Sequence, residues 1–494
     1  MRRRDVLRGA AGAAALPFAS RVASATSQDA YAPLGTVELR GAKEAVVGDD
    51  GDTVYVATTD GFATVDVSDP ADPSVLVQAS SLLADRENGP MTGVYDVKVD
   101  GDTMVAVGPA NPVREDVFNG VAVYDVSDPA APELRGAHET GHAIHNAYLD
   151  GDTVYLTGTG VRNSPVVVVD LAGDEPEEVA RWSRADHDEA WAEVRNSNHD
   201  LYVHEDTLYV AHWDAGTWLV DVSDPSQPEY VNHFGHYSLE DLRELDDPQA
   251  RLELPGNAHY VAVNDDASLL ACGAEVWDVS PDDGSRDAPG GIDIWDIADP
   301  QRPEKLSFVE PPPTPDPSYR GTWTTSHNFD FDGDRLYTSW YQGGVKVHDV
   351  SDPANPEELA WWRRPEESMF WTAQSLGADA EAFVASSMQG GDEYGPGLFT
   401  FPDRAGEQAD PPSLAADETT TTTDGPTTTE TGPATTTTAT ATTTTDTTTT
   451  QSGGGGSGDG GESGGSAPGF GVLAAVAGTS AAALAAWRRR RGLD

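Results

Sequence analysis

Histidine recurs at one position in four successive segments of this 494-residue chain. When the segments are aligned on a recurrent Asp-Gly-Asp-Thr turn, the histidine stands six residues before the glycine position. The four residues are His145, His199, His259 and His327. Neutral imidazoles that converge on one point are what a divalent transition metal requires. The neighbouring residues Asn146, Asp200 and Asn328 are candidates to orient the rings or to add oxygen ligands.

These histidines belong to a larger repeat, whose most regular part reads Val-x-Val-x-Asp-x-Ser-Asp-Pro. Clear copies lie at Gly120–Pro129, Thr217–Pro225, Gly291–Pro300 and Gly344–Pro353, and weaker copies at Ala63–Pro70, Pro165–Leu171 and Gly397–Asp403. The apolar run predicts a strand, and Ser-Asp-Pro predicts the turn that ends it, because proline cannot continue the pairing. A unit that cannot bury its own apolar face must stack on its neighbours, so the seven copies predict a repeat architecture.

Each repeat predicts four antiparallel strands. An apolar stretch ends at a turn such as Asp150–Thr153, where Asp-Gly favours a two-residue hairpin. A second strand follows, then the Val-x-Val-x-Asp strand, and a fourth strand begins near Pro-Glu, as at Pro132–Leu134. Four strands at this spacing predict a propeller blade. The Asp-Gly-Asp-Thr turns also resemble fragments of calcium loops, but they lack the remaining ligands, so we interpret them as hairpins.

The predicted fold class is therefore all-β, a seven-bladed β-propeller over residues 31–404. The last third-strand copy, Gly397–Phe401, has no fourth strand after it, and Leu34–Arg40 at the N-terminal end is expected to supply it. Such closure removes exposed sheet edges. The third-strand motif resembles the LVIVD-repeat family, whose name spells that strand and its aspartate. The resemblance implies the seven-bladed propeller and supplies no reaction.

In a propeller, the four histidines would begin the innermost strands of adjacent blades and converge at the mouth of the central channel. Blade two has Tyr95 at that place, and the alignment puts Ala45 and Ala373 in blades one and seven. Two interpretations remain open. The histidines hold a metal or do chemistry, or they fix the blade turns by local hydrogen bonds, as a histidine does in WD-type propellers.

Long insertions precede blades four, five and six, at Ser183–Ser197, Gly235–Gly256 and Glu310–Thr325, and the first two have helical patterns. Loops between second and third strands lie on the same face and add candidate pocket residues: His212, Trp213, Asp214, Tyr341, Gln342 and Glu393. A covered cavity rich in histidine and tryptophan is typical of a small-molecule or metal site. The alternative is that the long loops are surface decoration.

The first 25 residues predict an export signal. Arg2-Arg3-Arg4 and the residues after it resemble a twin-arginine motif, a small apolar region follows, and Ala23-Ser24-Ala25 resembles a cleavage site. The partner implied is the export machinery, and the alternative is a short basic tail.

The C-terminal end predicts attachment to the cell surface. Residues 405–467 are rich in threonine, glycine and serine and are expected to form an extended stalk. Residues 468–494 hold Pro-Gly-Phe, an apolar run and an arginine cluster, and they resemble the PGF-CTERM sorting signal of archaea. That resemblance implies cleavage by an archaeosortase and transfer to a membrane lipid, and the alternative is a retained membrane helix.

The net charge of −53 and the presence of only four lysines are typical of a salt-adapted protein, and together with the signals they suggest a halophilic archaeon. Such charge argues against nucleic-acid binding, because phosphates would be repelled. The single Cys272 excludes an intramolecular disulfide.

Two functions remain open from the sequence. The first is a binding or interaction module on the cell surface, with an unknown protein, polymer or small-molecule ligand. The second is an exported metal-dependent hydrolase or oxidoreductase that uses the four histidines and a divalent transition metal. We rank the binding module first, because the sequence shows no complete catalytic constellation.

Overall fold

The strands form seven sheets. The computed structural model describes residues 30–113, 117–194, 197–245, 252–279, 288–377 and 380–415. Within them, six sheets contain four consecutive strands in sequence order, and the seventh combines three C-terminal strands with the first strand of the chain. The innermost strands contact one another in a closed circle, so the sheets are the blades of one ring. The predicted all-β, seven-bladed propeller is confirmed.

The strands are as follows. The first is β1 (Gly35–Glu38), and blade one has β2 (Ala45–Val47), β3 (Thr53–Ala57), β4 (Gly61–Asp66) and β5 (Ser74–Ser80). Blade two has β6 (Asp96–Asp100), β7 (Thr103–Gly108), β8 (Gly120–Asp125) and β9 (Glu133–Glu139), and blade three has β10 (Ala147–Asp150), β11 (Thr153–Thr157), β12 (Val166–Asp170) and β13 (Glu177–Trp182). Blade four has β14 (Asp200–His204), β15 (Thr207–Ala211), β16 (Thr217–Asp221) and β17 (Glu229–Phe234), and blade five has β18 (Ala258–Val263), β19 (Leu269–Ala274), β20 (Ile292–Asp296) and β21 (Glu304–Val309). Blade six has β22 (Phe329–Asp332), β23 (Arg335–Ser339), β24 (Val345–Asp349) and β25 (Glu357–Trp362), blade seven has β26 (Phe370–Ser375), β27 (Ala382–Ser387) and β28 (Gly397–Pro402), and β29 is Gly406–Glu407.

The ring closes as predicted, by the N-terminal strand. Strand β1 pairs antiparallel with β28, with Gly35 opposite Thr400 and Glu38 opposite Gly397. The buried Tyr31, just before β1, donates a hydrogen bond of 3.0 Å from its hydroxyl to the carbonyl of Pro402. The first and last strands of the chain therefore complete one blade.

The repeated motif builds the turns of the blades. The glycines of the Asp-Gly turns have positive φ, for example 54° at Gly151, so the hairpin interpretation holds for them. In blades one, two, four and six, the aspartate that ends the third strand accepts hydrogen bonds from the serine two residues later. In blade one, Asp66 Oδ1 accepts from the backbone N–H and the hydroxyl of Ser68, at 3.0 and 2.6 Å. The recurrent aspartate is thus a turn-forming residue.

The Ser-Asp-Pro turns also join the blades. In blade one, the buried hydroxyl of Thr64 donates to the carbonyl of Pro129 in blade two, at 2.6 Å. Between blades five and six, the hydroxyl of Ser307 on the fourth strand donates to the carbonyl of Pro353, also at 2.6 Å. Apolar side chains fill the space between adjacent blades, as in one buried cluster that includes Val123 of blade two and Val169 of blade three. The core therefore lies between the sheets around the ring.

Short helices form in the first two insertions, as their patterns predict. They are α1 (Arg184–His187), a 3-10 helix at Glu189–Glu193, and α2 (Leu239–Glu244). Trp191 and Leu242 bury their side chains in the core of blade four. The helices of these two insertions therefore pack against blades three and four. Leu252 of the second insertion and Trp323 of the third, Glu310–Thr325, both belong to an aromatic cluster with Tyr341 and Trp371.

The ordered chain continues past the predicted end of the propeller. Strand β29 pairs in parallel with β25 and adds a fifth strand to blade six, and Leu414 is buried. The predicted stalk therefore begins later than residue 405. The predicted export signal, the threonine-rich tract and the sorting signal lie outside the described residues. Among the helices that the structure describes, none is long and apolar enough to cross a membrane.

Candidate functional site

Seven side chains form a ring where the innermost strands begin, which we call the mouth ring. Equivalence follows from the hydrogen bonds: Thr157 donates to the carbonyl of Asn146 in blade three, and Ala57 donates to that of Glu44 in blade one. The ring residue is the one just before each of these acceptors, which is His145 in blade three and Lys43 in blade one. The members of the mouth ring, from blade one to blade seven, are Lys43, Tyr95, His145, His199, His259, His327 and Trp371.

The sequence alignment was wrong in two blades. The structure places Lys43, and not Ala45, at the position of the histidines in blade one, and Trp371, and not Ala373, in blade seven. In blade one the reason is a longer turn, since residues 48–52 join β2 to β3, whereas two residues join β10 to β11. Counting six residues back from the glycine of the turn therefore stopped two residues short of the equivalent position.

Loops from neighbouring blades position several members of the mouth ring. Residues with positive φ follow the second strands, and they make isolated bridges to the entry of the next blade. Trp213 pairs with Ala258, next to His259, and Tyr341 pairs with Phe370, next to Trp371. The position of each of these side chains is thus set by the backbone of the preceding blade.

The four histidine rings converge in sequence order, as predicted. The centroid distances are 4.2 Å from His145 to His199, 3.9 Å from His199 to His259 and 4.9 Å from His259 to His327. All four side chains are buried. The rings form a continuous arc across blades three to six.

Hydrogen bonds fix the tautomers of three rings. The Nδ1 atom of His145 donates to the carbonyl of Ala110 at 3.1 Å, that of His199 to the carbonyl of His259 at 3.1 Å, and that of His327 to the carbonyl of Trp371 at 2.6 Å. Because a carbonyl can only accept, Nδ1 carries the proton and Nε2 keeps its lone pair. Carbonyls that hold Nδ1 in this way are typical partners of metal-binding histidines.

These bonds also agree with the second interpretation, in which the histidines fix the blades by hydrogen bonds, because His199 and His327 each join their own blade to the next. The two interpretations are compatible, since one ring nitrogen makes the structural contact and the other is left for a ligand. Burial, with the nearby charge of His259 as the next cause, lowers the pKa of His145 to about 4 and that of His327 to about 3. Both rings are therefore neutral near pH 7, the form that binds metals.

Glu275 completes the arrangement at the end of the arc. One carboxylate oxygen lies 3.1 Å from Nδ1 of His259, and the other accepts a hydrogen bond from the hydroxyl of Tyr341. Burial alone would raise the pKa of Glu275, but the charge of His259 and the hydrogen bonds hold it below its usual value. Ligand atoms of His259, Glu275 and His327 lie within 4.8 Å of one another, close enough to hold one metal ion.

Sequence reasoning missed Glu275, although a signal was present. Glu275 is two residues beyond Gly273, which pairs with Tyr260, and Trp213 and Tyr341 have the same place in blades four and six. Both of those residues were predicted to line a pocket. The equivalent residue of blade five was overlooked because residues 275–291 join β19 to β20, whereas five residues make this connection in blades four and six.

The polar residues that follow the histidines lie in the channel and join the blades. Asp200 accepts a hydrogen bond of 3.2 Å from the backbone of Val261, and Asn146 donates one of 2.7 Å to the carbonyl of His199. Asn328 donates to Glu44, whose carboxylate is 3.7 Å from the Lys98 ammonium. The amide of Asn146 thus fixes the backbone of a ring residue, and none of the three side chains hydrogen-bonds a histidine ring among the described residues.

An aromatic cluster covers the end of the arc near His327. Trp371 and Tyr341 lie 4.2 and 4.6 Å from the His327 ring, centroid to centroid. The third insertion adds Trp323, whose ring is 5.2 Å from that of Tyr341. Gln342 holds Trp323 by accepting a 3.0 Å hydrogen bond from its backbone N–H. This cluster excludes water from one side of the site.

The remaining predicted pocket residues do not share one location. Trp213 stacks over His199 at 6.2 Å, and with Asp214 it lines a cavity of about 310 Å³ between blades four and five. His212 is buried, and the charge of Arg184 adds to burial in lowering its pKa. Glu393 is exposed and lies in a loop that hydrogen-bonds Glu367.

Comparisons with known proteins agree with the fold. Residues 50–78, 116–140 and 197–234 match the LVIVD repeat. The β-propeller domain of Myceliophteria thermophila Cps50 (Swd1) is similar over 75% of this chain and 99% of that chain, with a TM-score of 0.50 and 9% identity. The structure of U3-55K is similar over 76% of this chain and 99% of that chain, with a TM-score of 0.51 and 11% identity. Among curated proteins no sequence match was found. The chain thus carries LVIVD repeats in a propeller, and at these identities the likeness to solved structures is one of fold alone.

Proposed function

We propose that this propeller is a binding module whose mouth ring holds a divalent transition metal ion. A β-propeller built from repeats fits a binding or interaction module, and the enzyme alternative finds no support in the comparisons. The observation that carries the proposal is the set formed by His259, Glu275 and His327, with ligand atoms within 4.8 Å of one another. His199 and His145 continue the arc.

The chemistry of these side chains suits such an ion. A set of two imidazoles and one carboxylate favours zinc or copper over magnesium or calcium, because imidazole nitrogen suits these transition metals. Three protein ligands leave a further coordination position, and the His199 ring, 3.9 Å from that of His259, is the nearest side chain to fill it. An open position would also let the ion bind a group of a second molecule, which is how a metal serves a binding module.

Titration of metal-free protein tests the proposal. The protein is treated with a chelator, and Zn²⁺ and Cu²⁺ are added in an isothermal titration with excess Mg²⁺ to occupy the acidic surface. We expect one tight site per chain. His259→Ala should weaken binding by about tenfold or more, because it removes a ligand.

His204→Ala is the matched control, because His204 lies on β14 and its Nε2 atom contacts the carbonyl of Asp265 on the surface. Equal affinities for the two variants would contradict the proposal, as would binding without a defined stoichiometry. A cooperative melting transition for His259→Ala excludes loss of folding as the cause.

We further propose that the propeller is exported and attached to the cell surface, as the two terminal sequences indicate. The export machinery, an archaeosortase and a membrane lipid would be its partners during maturation. Mass spectrometry of membrane-extracted protein tests this. We expect a mature start near Thr26 and no peptide from Arg488–Asp494, and recovery of that peptide from mature protein would contradict lipid attachment.

A further inference from the structure

Lys43 differs from the other lysines of the chain in its surroundings. The sequence has four lysines. The ammonium groups of three of them lie beside carboxylates: Lys98 beside Asp96 and Glu44, Lys305 beside Asp293, and Lys346 beside Glu358. Among the described residues, no carboxylate lies within ion-pair distance of the Lys43 Nζ atom.

The Lys43 amine instead lies between aromatic rings. Its Nζ atom is 5.3 Å from the ring centroid of Tyr95 and 5.4 Å from that of Trp371, and its one hydrogen bond to a described residue, 3.3 Å long, goes to the carbonyl of Ala42. Only 5% of the residue is exposed. Aromatic faces stabilise a cation, but much less than an ion pair does in a site that excludes water.

Burial lowers the pKa of Lys43 to about 8. A substantial fraction of the amine is therefore neutral near physiological pH, whereas an ordinary lysine is almost wholly protonated. A lysine in an apolar site without a counter-ion has the properties of a nucleophile that forms imines.

We propose that Lys43 is a carbonyl-reactive residue that binds small uncharged aldehydes as an imine at the mouth ring. The neutral nitrogen adds to the carbonyl carbon, and the proton lost from nitrogen passes to the carbonyl oxygen to give a carbinolamine. Loss of that oxygen as water forms the C=N bond. The imine nitrogen then takes a proton from solvent, so that a positive charge lies between the Tyr95 and Trp371 rings, and no oxidant or reductant is needed.

The surroundings of the amine define the ligand class. The two aromatic walls and the low exposure favour a short, uncharged aldehyde, and a carboxylate on the ligand would be buried against ring faces that carry partial negative charge. The inference does not depend on the metal proposal, because Lys43 lies in blade one, between Tyr95 and Trp371 and outside the arc of histidines.

Reductive trapping tests the inference on the folded, full-length chain. Chelator-treated protein is incubated with propanal and cyanoborohydride at pH 7.5, and propylation of each lysine is followed over time by peptide mass spectrometry. Burial lowers the pKa of both amines, but the Glu358 carboxylate opposes that shift at Lys346, so we expect Lys43 to react several-fold faster. Lys346 is the matched control, because it is also buried against tryptophan rings, with Nζ 4.6 Å from the Trp361 centroid, but is paired with a carboxylate.

Equal or slower reaction of Lys43 would overturn the inference, and the comparison needs no variant because both lysines lie in one molecule. For each aldehyde, the labelling rate of Lys43 is divided by that of free lysine. We expect this ratio to be several-fold lower for glyoxylate than for propanal, and equal ratios would overturn the assignment of an uncharged ligand. The trapping experiment uses protein without metal, so its failure would not affect the outcome of the metal titration.

Discussion

At the residue scale, the aspartate of the repeated motif has a structural role that recurs around the ring. Asp66, Asp125, Asp221 and Asp349 each accept hydrogen bonds from the serine two residues later. These bonds, made chiefly by the serine hydroxyl and then by its backbone, lower the pKa of each aspartate. The aspartates are thus engaged in the turns, and the metal ligands that we propose lie outside the motif.

Replacing one of these aspartates should reduce stability in a way that depends on pH. Asp66→Asn weakens the two bonds from Ser68, and we expect a loss of roughly 1 kcal/mol in the free energy of unfolding at pH 7, limited by solvent exposure. Because the folded-state pKa is below the unfolded value, the wild-type advantage is complete above pH 4 or so and disappears as the pH falls through the folded-state pKa.

Thermal melting of Asp66→Asn and wild type at pH 7 and at decreasing pH measures this difference. Asp72→Asn is the control, since Asp72 is exposed and its side chain makes no hydrogen bond to the described residues. A constant difference across the pH range would contradict the role assigned to the ionised carboxylate.

At the element scale, each blade depends on its neighbours for hydrogen bonds as well as for apolar contact. The third strand of blade one donates through Thr64 to the Ser-Asp-Pro turn of blade two. The entries of the innermost strands are paired with loops of the preceding blade. A blade therefore has its final geometry only when the next blade is in place.

Thr64→Val should show the strength of one such link. The change keeps the shape of a fully buried side chain but leaves the carbonyl of Pro129 without its partner, so we expect a loss of about 1–2 kcal/mol in the free energy of unfolding. Chemical denaturation measures it. Thr36→Val, on the exposed side of β1, should have little effect, and equal effects of the two changes would contradict the link.

At the scale of the whole molecule, closure by β1 controls both stability and the site. The innermost strands contact one another around the whole circle, and β1 covers the edge of β28, which would otherwise be open. The mouth ring needs this closure, because Lys43 of blade one and Trp371 of blade seven meet across the joint between the first and last blades.

Removal of β1 should therefore open the ring. We expect a chain that begins at Gly41 to melt at a markedly lower temperature and to aggregate through the open edge of β28. A chain that begins at Ala30 retains Tyr31 and β1 and is the control. Light scattering during thermal melting of both chains measures the difference, and identical behaviour would contradict the role of β1 in closure.

The sequence by itself determined the architecture, because the signals involved are local. Alternating apolar residues, Asp-Gly turns with positive φ and the proline after each third strand act within a few residues, and the missing strand after Gly397–Phe401 indicated the closure. The histidines were found in the same way, because they recur at a fixed distance from a turn.

Only the tertiary structure decided which other side chains lie beside the four histidines at the mouth of the channel. A longer turn in blade one hid Lys43, and a longer connection between the second and third strands of blade five hid Glu275, because an insertion shifts a residue away from its regular spacing. Convergence of residues far apart in the chain depends on how many blades close the circle and how each loop enters the next blade. The choice of hydrogen-bond partner for each imidazole depends on backbone carbonyls of neighbouring blades, which no sequence spacing reveals.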